Sequence, residues 1–389
     1  MKALRKIVDN IKPTFSKGGK LGFLHSTFDA FETFLFVPDT VTKNGVHIKD
    51  SIDLKRTMSF VIIALMPAML FGMWNTGYQH NLSIGGSMDF WGMFWFGFLK
   101  VLPLIIVSYV VGLGIEFTAA QIRGHEVNEG FLVSGMLIPL IMPVDVPLWI
   151  LALSVVFAVI IGKEVFGGTG MNIWNPALLS RAFVFFAYPS QISGDKIWIA
   201  GLSEGQGVVD GFSGATPLAN AMAGAPIPSF SDMFFGFIPG CVGETSTLAI
   251  ILGAIILIVT GVASWKIMFS TVAGALLTGL LLNAVAPADP ASYLNIPAWD
   301  HLVMGGFAFG AVFMATDPVT SAQTETGKWI YGFLIGFMVI VIRAFNPGYP
   351  EGMMLAILLL NTFAPMIDHY VVQSNIKKRL KRATVTVKK

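Results

Sequence analysis

Ten apolar segments, each about 16 to 28 residues long, follow one another along this chain. At about 1.5 Å of rise per residue, each approaches the length needed to cross a bilayer core. Their cores fall near residues 57–77, 93–120, 129–144, 147–165, 176–192, 244–264, 267–286, 300–316, 329–345 and 352–369. In lipid a spanning segment must satisfy its own backbone polar groups, which helices do within one segment. The expected fold is therefore an all-α polytopic membrane protein with about ten transmembrane helices. The third and eighth segments are short and interrupted by Gly or Pro. Only 12% of the 389 residues are charged, against about 25% in a typical soluble domain. A net charge of +2 gives no electrostatic footprint for nucleic acid.

Basic residues set the orientation. Ten of the 25 Lys and Arg lie in residues 1–56 and seven in 370–389. An even number of spans puts both tails on one side, predicted to be cytoplasmic. Arg123, Lys163, Arg181, Lys266 and Lys328 fall at or near predicted cytoplasmic ends. Lys100 and Arg343 sit in or near outer ends, where each must pair or snorkel. The long loop 193–243 carries one basic residue, Lys196, and is predicted to face outward. Ahead of the first span, residues 22–37 place Phe23, Phe28, Phe31, Phe34 and Leu35 at roughly helical spacing. This reads as an amphipathic helix lying on the membrane surface.

The organisation that follows is a cytoplasmic segment 1–56, five spans in 57–192, the outward loop 193–243, five spans in 244–369 and a basic tail 370–389. Five spans in each half give the halves opposite orientations, the arithmetic of an inverted repeat. The third span carries Gly130, Gly135 and Asp145 after Pro143; the eighth carries Gly306, Gly310 and Asp317 before Pro318. Two broken segments at matching positions point to a central binding site. Six scattered histidines and a single cysteine, Cys241, offer no metal-ligand spacing and no disulfide.

The outward loop contains Asp210, then Ser213-Gly214-Ala215-Thr216-Pro217. Pro217 suits a first helical position, with Thr216 as its N-cap. The small neighbours also leave the Thr216 hydroxyl open to a bulky modification such as a flavin phosphate.

The S-G-A-T run, with Asp210 upstream, resembles the motif at which flavin mononucleotide (FMN) is attached to Thr through a phosphoester. That motif occurs in the B-subunit family of sodium-translocating NADH:quinone oxidoreductases and in the related D-subunit family of Rnf complexes. The resemblance extends from Ser51–Arg56 to the end, through His125–Gly130, Lys163–Gly170, Asn175-Pro-Ala177, Ala187-Tyr-Pro189, Gln191–Asp195, Phe313–Pro318 and Tyr349–Met354. With the long basic N-terminus, it favours the B-subunit family. It implies a multi-pass protein of the bacterial inner membrane with a covalent FMN on Thr216, placed there by a flavin transferase. It implies a second, non-covalent riboflavin, quinone as electron acceptor and Na⁺ as transported ion. The other subunits of a six-subunit complex become obligate partners, and one of them must hold the NADH site, since no dinucleotide motif is present here.

The segment Gly167-Gly168-Thr169-Gly170-Met171-Asn172-Ile173-Trp174-Asn175 links the fourth and fifth spans. Asn172 and Asn175 carry amide donors and acceptors that suit the edge of a flavin ring, and Trp174 can stack or pack. This loop is the candidate wall of the riboflavin site. Acidic residues in or beside spans are costly there and mark functional candidates. Asp29, Glu116, Asp317 and Asp368 form the candidate ion path, their carboxylates being hard oxygen ligands for Na⁺. Arg123, two turns after Glu116, is one possible partner for it. A quinone cleft is expected where the amphipathic helix meets the inner end of span two, near Gly112 and Leu113; Leu113 stands where the family pattern has a second glycine. Two other readings remain open: an Rnf-type electron-transport role, or a cofactor-free inverted-repeat transporter or channel.

Overall fold

The computed structural model describes all residues except 1, 17, 23–24, 37–41, 49–52, 124–129, 204, 206–207, 210–211, 288–291, 347–350 and 386–389. Among the described residues all regular structure is helical. Two helices, α1 (Lys2–Phe15) and α2 (His25–Leu35), precede the long hairpin of α3 (Leu54–Ser83) and α4 (Phe90–Arg123). The first half continues with α5 (Phe131–Ile141), α6 (Leu148–Ile160) and α7 (Pro176–Ala187). Short helices α8 (Pro217–Met222) and α9 (Phe230–Phe235) lie in the long loop. The second half holds α10 (Thr247–Val259), α11 (Trp265–Val285), α12 (Asp300–Val303), α13 (Phe307–Phe309), α14 (Glu325–Phe345) and α15 (Met353–Val385).

Each of the ten apolar segments meets a helical element. Six helical stretches are long and apolar enough to cross a membrane: Leu54–Ser83, Phe90–Arg123, Leu148–Phe166, Trp265–Val285, Glu325–Phe345 and Met353–Arg382. Three more, α5, α7 and α10, are apolar but only 11 to 13 residues long. The eighth segment is broken into α12, α13 and a π turn at Gly310–Met314, with Gly305 at φ +58° between the first two. The chain is thus a multi-pass helical membrane protein.

The differences from expectation have local causes. The fifth helix ends at Ala187 rather than near 192, because the residue before Pro189 is held out of the helical region. The expected surface helix is α2, but α1 was not foreseen; it packs on α2, and Lys12 donates to Glu32 at 2.8 Å. The described part of the basic tail is helical, since α15 runs from the tenth span through Val385.

The two halves repeat one pattern of neighbours. In the first, α4 packs on α5 and α6, α6 on α7, and α5 on α3 and α7. In the second, α11 packs on α14 and on the broken segment, α14 on α15, and the broken segment on α10 and α15. Corresponding elements also meet across the halves, α3 with α10 and α7 with α15. The extensive α3–α4 contact has no counterpart of like extent between α10 and α11. Glycines permit the closest approaches. A Cβ on Gly97 would strike the backbone of Met73, one on Gly77 that of Met93, and one on Gly274 that of Phe333.

Arg343 answers the cost of the broken segment. It is fully buried, and its guanidinium donates to the carbonyls of His301 (2.6 Å), Met304 (2.9 Å) and Glu351 (3.1 Å). Carbonyls freed where a helix stops in an apolar setting need such donors. Lys100 reaches Asp145 at 3.4 Å. Both basic residues that sat poorly in the charge pattern are therefore partnered.

Candidate functional site

Two cavities with polar groups in their walls lie near opposite ends of α10: Leu257 lines one, Glu244 and Thr245 the other. The helix from Thr247 to Leu257 rises roughly 15 Å.

The first cavity is where the halves meet. Thr57, Ser134, Thr169, Asn172 and Asn175 come from the first half, Phe313, Thr316 and Asp317 from the second. Asn175 caps α7: its Oδ1 accepts from Ala177 N (2.9 Å) and its Nδ2 donates to Asp317 Oδ2 (3.2 Å). Pro176 follows at the first helical position, where its missing N–H costs nothing. Asp317 also accepts from Val319 N and Thr320 Oγ1, each at 3.0 Å. Its carboxylate is held by neutral donors alone among the described residues. Asn172 Nδ2 is turned to the carbonyl of Trp174 at 3.1 Å. The walls are otherwise apolar, with Val61, Val133, Leu137 and Val262 among them. A few placed polar groups on apolar walls are the usual make-up of a cofactor pocket.

The rest of the glycine-rich loop does not share that cavity. Gly167 and Gly168 form a turn at φ +121° and +99°, a conformation that favours glycine. Trp174 faces elsewhere: its Nε1 donates to Thr362 at 2.9 Å, its ring meets Phe166 edge-on, and it lines an apolar surface groove with Phe157 and Phe183. The loop is bent at Trp174 so that its asparagines point inward and its indole outward.

The second cavity holds Thr216 in its wall, with Asp195, Trp198, Arg181, Glu244 and Glu351. Thr216 is the N-cap of α8, its Oγ1 accepting from Ala219 N at 3.2 Å. Ser213 is exposed, and its Oγ accepts from Ala215 N at 3.3 Å. Gly214 is buried where a side chain would strike the carbonyl of Asp195. Asp210 lies outside the described residues.

The remaining candidates separate. Glu116 is 4% exposed and ion-paired with Lys163, not Arg123. Arg123 instead binds Glu164, at 3.0 Å to the carboxylate and 2.7 Å to the carbonyl. Asp368 accepts from the backbone N–H of Gln323 (2.7 Å) and Thr324 (3.0 Å), which ties α15 to the start of α14. Asp29 is half-buried on α2, its carbonyl taken by Thr33 Oγ1 at 2.6 Å. Gly112 lies one turn before Glu116 on the same buried face, where a Cβ would strike the ring of Phe131. Leu113 packs on the core. Ala30 of α2 meets Ala120 and Phe117 of α4, so α2 does cover the end of that helix.

Sequence reasoning took Lys163 and Arg181 as topological markers, and both are buried. Arg181 pairs with Glu351 and donates to the carbonyl of Ile141. Glu32, Glu244 and Glu351 were missed; a charge within or beside an apolar run was the available signal.

The fold and its cavities define a class: multi-pass helical membrane proteins whose two halves repeat one packing scheme around polar pockets. Within that class the chain belongs to the NQR2, RnfD, RnfE family, which residues 41–377 match. It is 47% identical over 405 residues to the Na⁺-translocating NADH-quinone reductase B-subunit of Chromohalobacter salexigens, covering 97% of this chain and 96% of that protein. The protein of the same name in Ectopseudomonas mendocina is 47% identical over 408 residues, covering 97% and 99%. That in Azotobacter vinelandii is 45% identical over 408 residues, with the same coverage.

Proposed function

We propose that this chain is the membrane-embedded B-subunit of a sodium-translocating NADH:quinone oxidoreductase, carrying electrons through two flavins. FMN is joined by its phosphate to Thr216 in the second cavity, and riboflavin occupies the first. The remaining subunits, including the one that oxidises NADH, are its partners, and a flavin transferase matures it. Both tails face the cytoplasm of a bacterial inner membrane, the two halves are inverted repeats, and the 193–243 loop faces outward.

The observation that carries this reading is that the two candidate flavin segments line two separate cavities near opposite ends of α10. The residues fit the groups. Among the described residues the Thr216 hydroxyl is engaged by one backbone N–H, with Trp198 and the Arg181 cation in the same wall. The first cavity has apolar walls and amide, hydroxyl and carboxylate groups for a ring edge. Flavins supply one- and two-electron transfer when bound. The chain's residues hold them, keep water from the apolar walls, and provide carboxylates for the ion. Asp317 is the ion-path residue that stands in a cavity wall, where its charge responds to what the cavity holds. Asp29, Glu116 and Asp368 complete the path, and quinone docks beside α2 and the end of α4, near Gly112 and Leu113.

Acid extraction of the complex from native membranes tests this. One flavin should be released from this subunit and one retained. Release of both would refute covalent attachment, and release of none would refute the riboflavin site. An Rnf-type role would show instead as ferredoxin rather than quinone exchanging electrons with the complex.

A further inference from the structure

Lys163 stands between the first cavity and a buried carboxylate. It follows α6, is 3% exposed, and forms part of the cavity wall beside Thr169 and Asn172. Its ammonium is ion-paired with Glu116 on α4. The pair is buried on both sides, so each charge depends on the other. The pairing uses Glu116 Oε1; Oε2 is buried and has no hydrogen-bond partner among the described residues. Glu164, the next residue, is held by Arg123 and does not compete for Lys163. The cation is thus shared in position, though not in bonding, between the cavity and a half-satisfied carboxylate.

We propose that Lys163 couples the charge in the cavity to cation binding at Glu116. This rests on the reading that a flavin occupies the first cavity. Each electron entering the cavity adds one negative charge in a setting of low dielectric. The Lys163 ammonium, on a flexible four-carbon stem, turns toward that charge and away from Glu116. Glu116 then takes up one Na⁺ through both oxygens, so one positive charge enters for each electron. When the electron leaves toward quinone, Lys163 returns to Glu116 and the ion is displaced. No covalent bond forms or breaks in the chain. The electron comes from NADH by the reaction for which the relatives are named, and quinone takes its protons from water outside this step.

The test is a spectroelectrochemical titration of the non-covalent flavin in the intact complex, at several sodium concentrations with choline holding ionic strength constant. One cation taken up per electron raises the midpoint potential by about 59 mV per tenfold increase in sodium. Wild type and Lys163→Arg should show that slope. Lys163→Gln and Glu116→Gln should lose it. A full slope in Lys163→Gln would overturn the proposal, as would a wild-type potential that follows pH but not sodium. If Lys163→Gln fails to assemble, the Glu116→Gln slope decides. The cavity reading is checked separately with Ser134→Trp, which fills the cavity. Full flavin content in that variant would sink the cavity reading, whereas lost flavin there with a retained slope in Lys163→Gln would sink only the coupling.

Discussion

Asn175 Nδ2 donates to Asp317 Oδ2 at 3.2 Å, closing a contact between residues 142 positions apart. One end is the cap of α7, the other the break after the π turn. A single amide thus satisfies a helix N-terminus in one half and a carboxylate in the other. The first cavity is therefore built from the seam between the halves.

Asn175→Ala removes the cap and one donor to Asp317. Cap loss costs about 1 kcal/mol, and one hydrogen bond fewer to the half-buried Asp317 carboxylate, which keeps Val319 N and Thr320 Oγ1, about 1 kcal/mol more. The purified complex should melt at lower temperature and retain less non-covalent flavin, while the covalent flavin stays at full content. Thermal unfolding and flavin extraction measure both.

Arg343→Met should be severe. It takes the guanidinium donor from the carbonyls of His301 and Met304, at about 1–3 kcal/mol each, while the Glu351 carbonyl keeps Met353 N at 2.8 Å. The expected result is failure to accumulate in the membrane, read by immunoblot. Lys has fewer directed donors than the guanidinium fork, so Arg343→Lys should rescue only part.

Asp317 and Asp368 should part company. Asp368 holds two backbone N–H groups between α14 and α15, so Asp368→Asn should lower thermal stability by about 1 kcal/mol. Asp317 lies in the cavity wall, and Asp317→Asn should raise the sodium concentration needed for half-maximal quinone reduction several-fold. Unchanged sodium dependence in Asp317→Asn would remove it from the ion path.

Gly274→Leu should disrupt the α11–α14 contact, since even its Cβ would strike the Phe333 backbone. Overpacking of this kind costs about 1–3 kcal/mol. Gly114→Ala is the contrast: nothing lies within 4 Å of the added Cβ, and helix propensity favours Ala by about 1 kcal/mol. Size-exclusion profiles after heating should rank the variants in that order around wild type.

The ten helical segments were legible because apolar length is a local property of the chain. The weak third and eighth segments were legible too, through their Gly and Pro, and they became the short α5 and the broken run α12–α13. Partner choice was not legible. Glu116 could be given Arg123 from helical spacing, but Lys163 reaches it from 47 residues away. Trp174 and Asn172 are two residues apart yet face different surfaces, because the chain bends at Ile173 and Trp174. Arg181 reads in the sequence as a marker of a cytoplasmic span end, because positive residues usually lie there; its partner Glu351 lies 170 residues on. The motif around Thr216 was readable, but not that Thr216 shares a cavity wall with the buried Arg181 and its partner Glu351.

The central claim is the covalent flavin on Thr216. The direct measurement is flavin fluorescence in this protein's band on a denaturing gel, from a host that supplies the transferase. The expected result is a fluorescent wild-type band and a dark band of equal protein amount for Thr216→Val. A dark wild-type band, or a fluorescent Thr216→Val band, would contradict it.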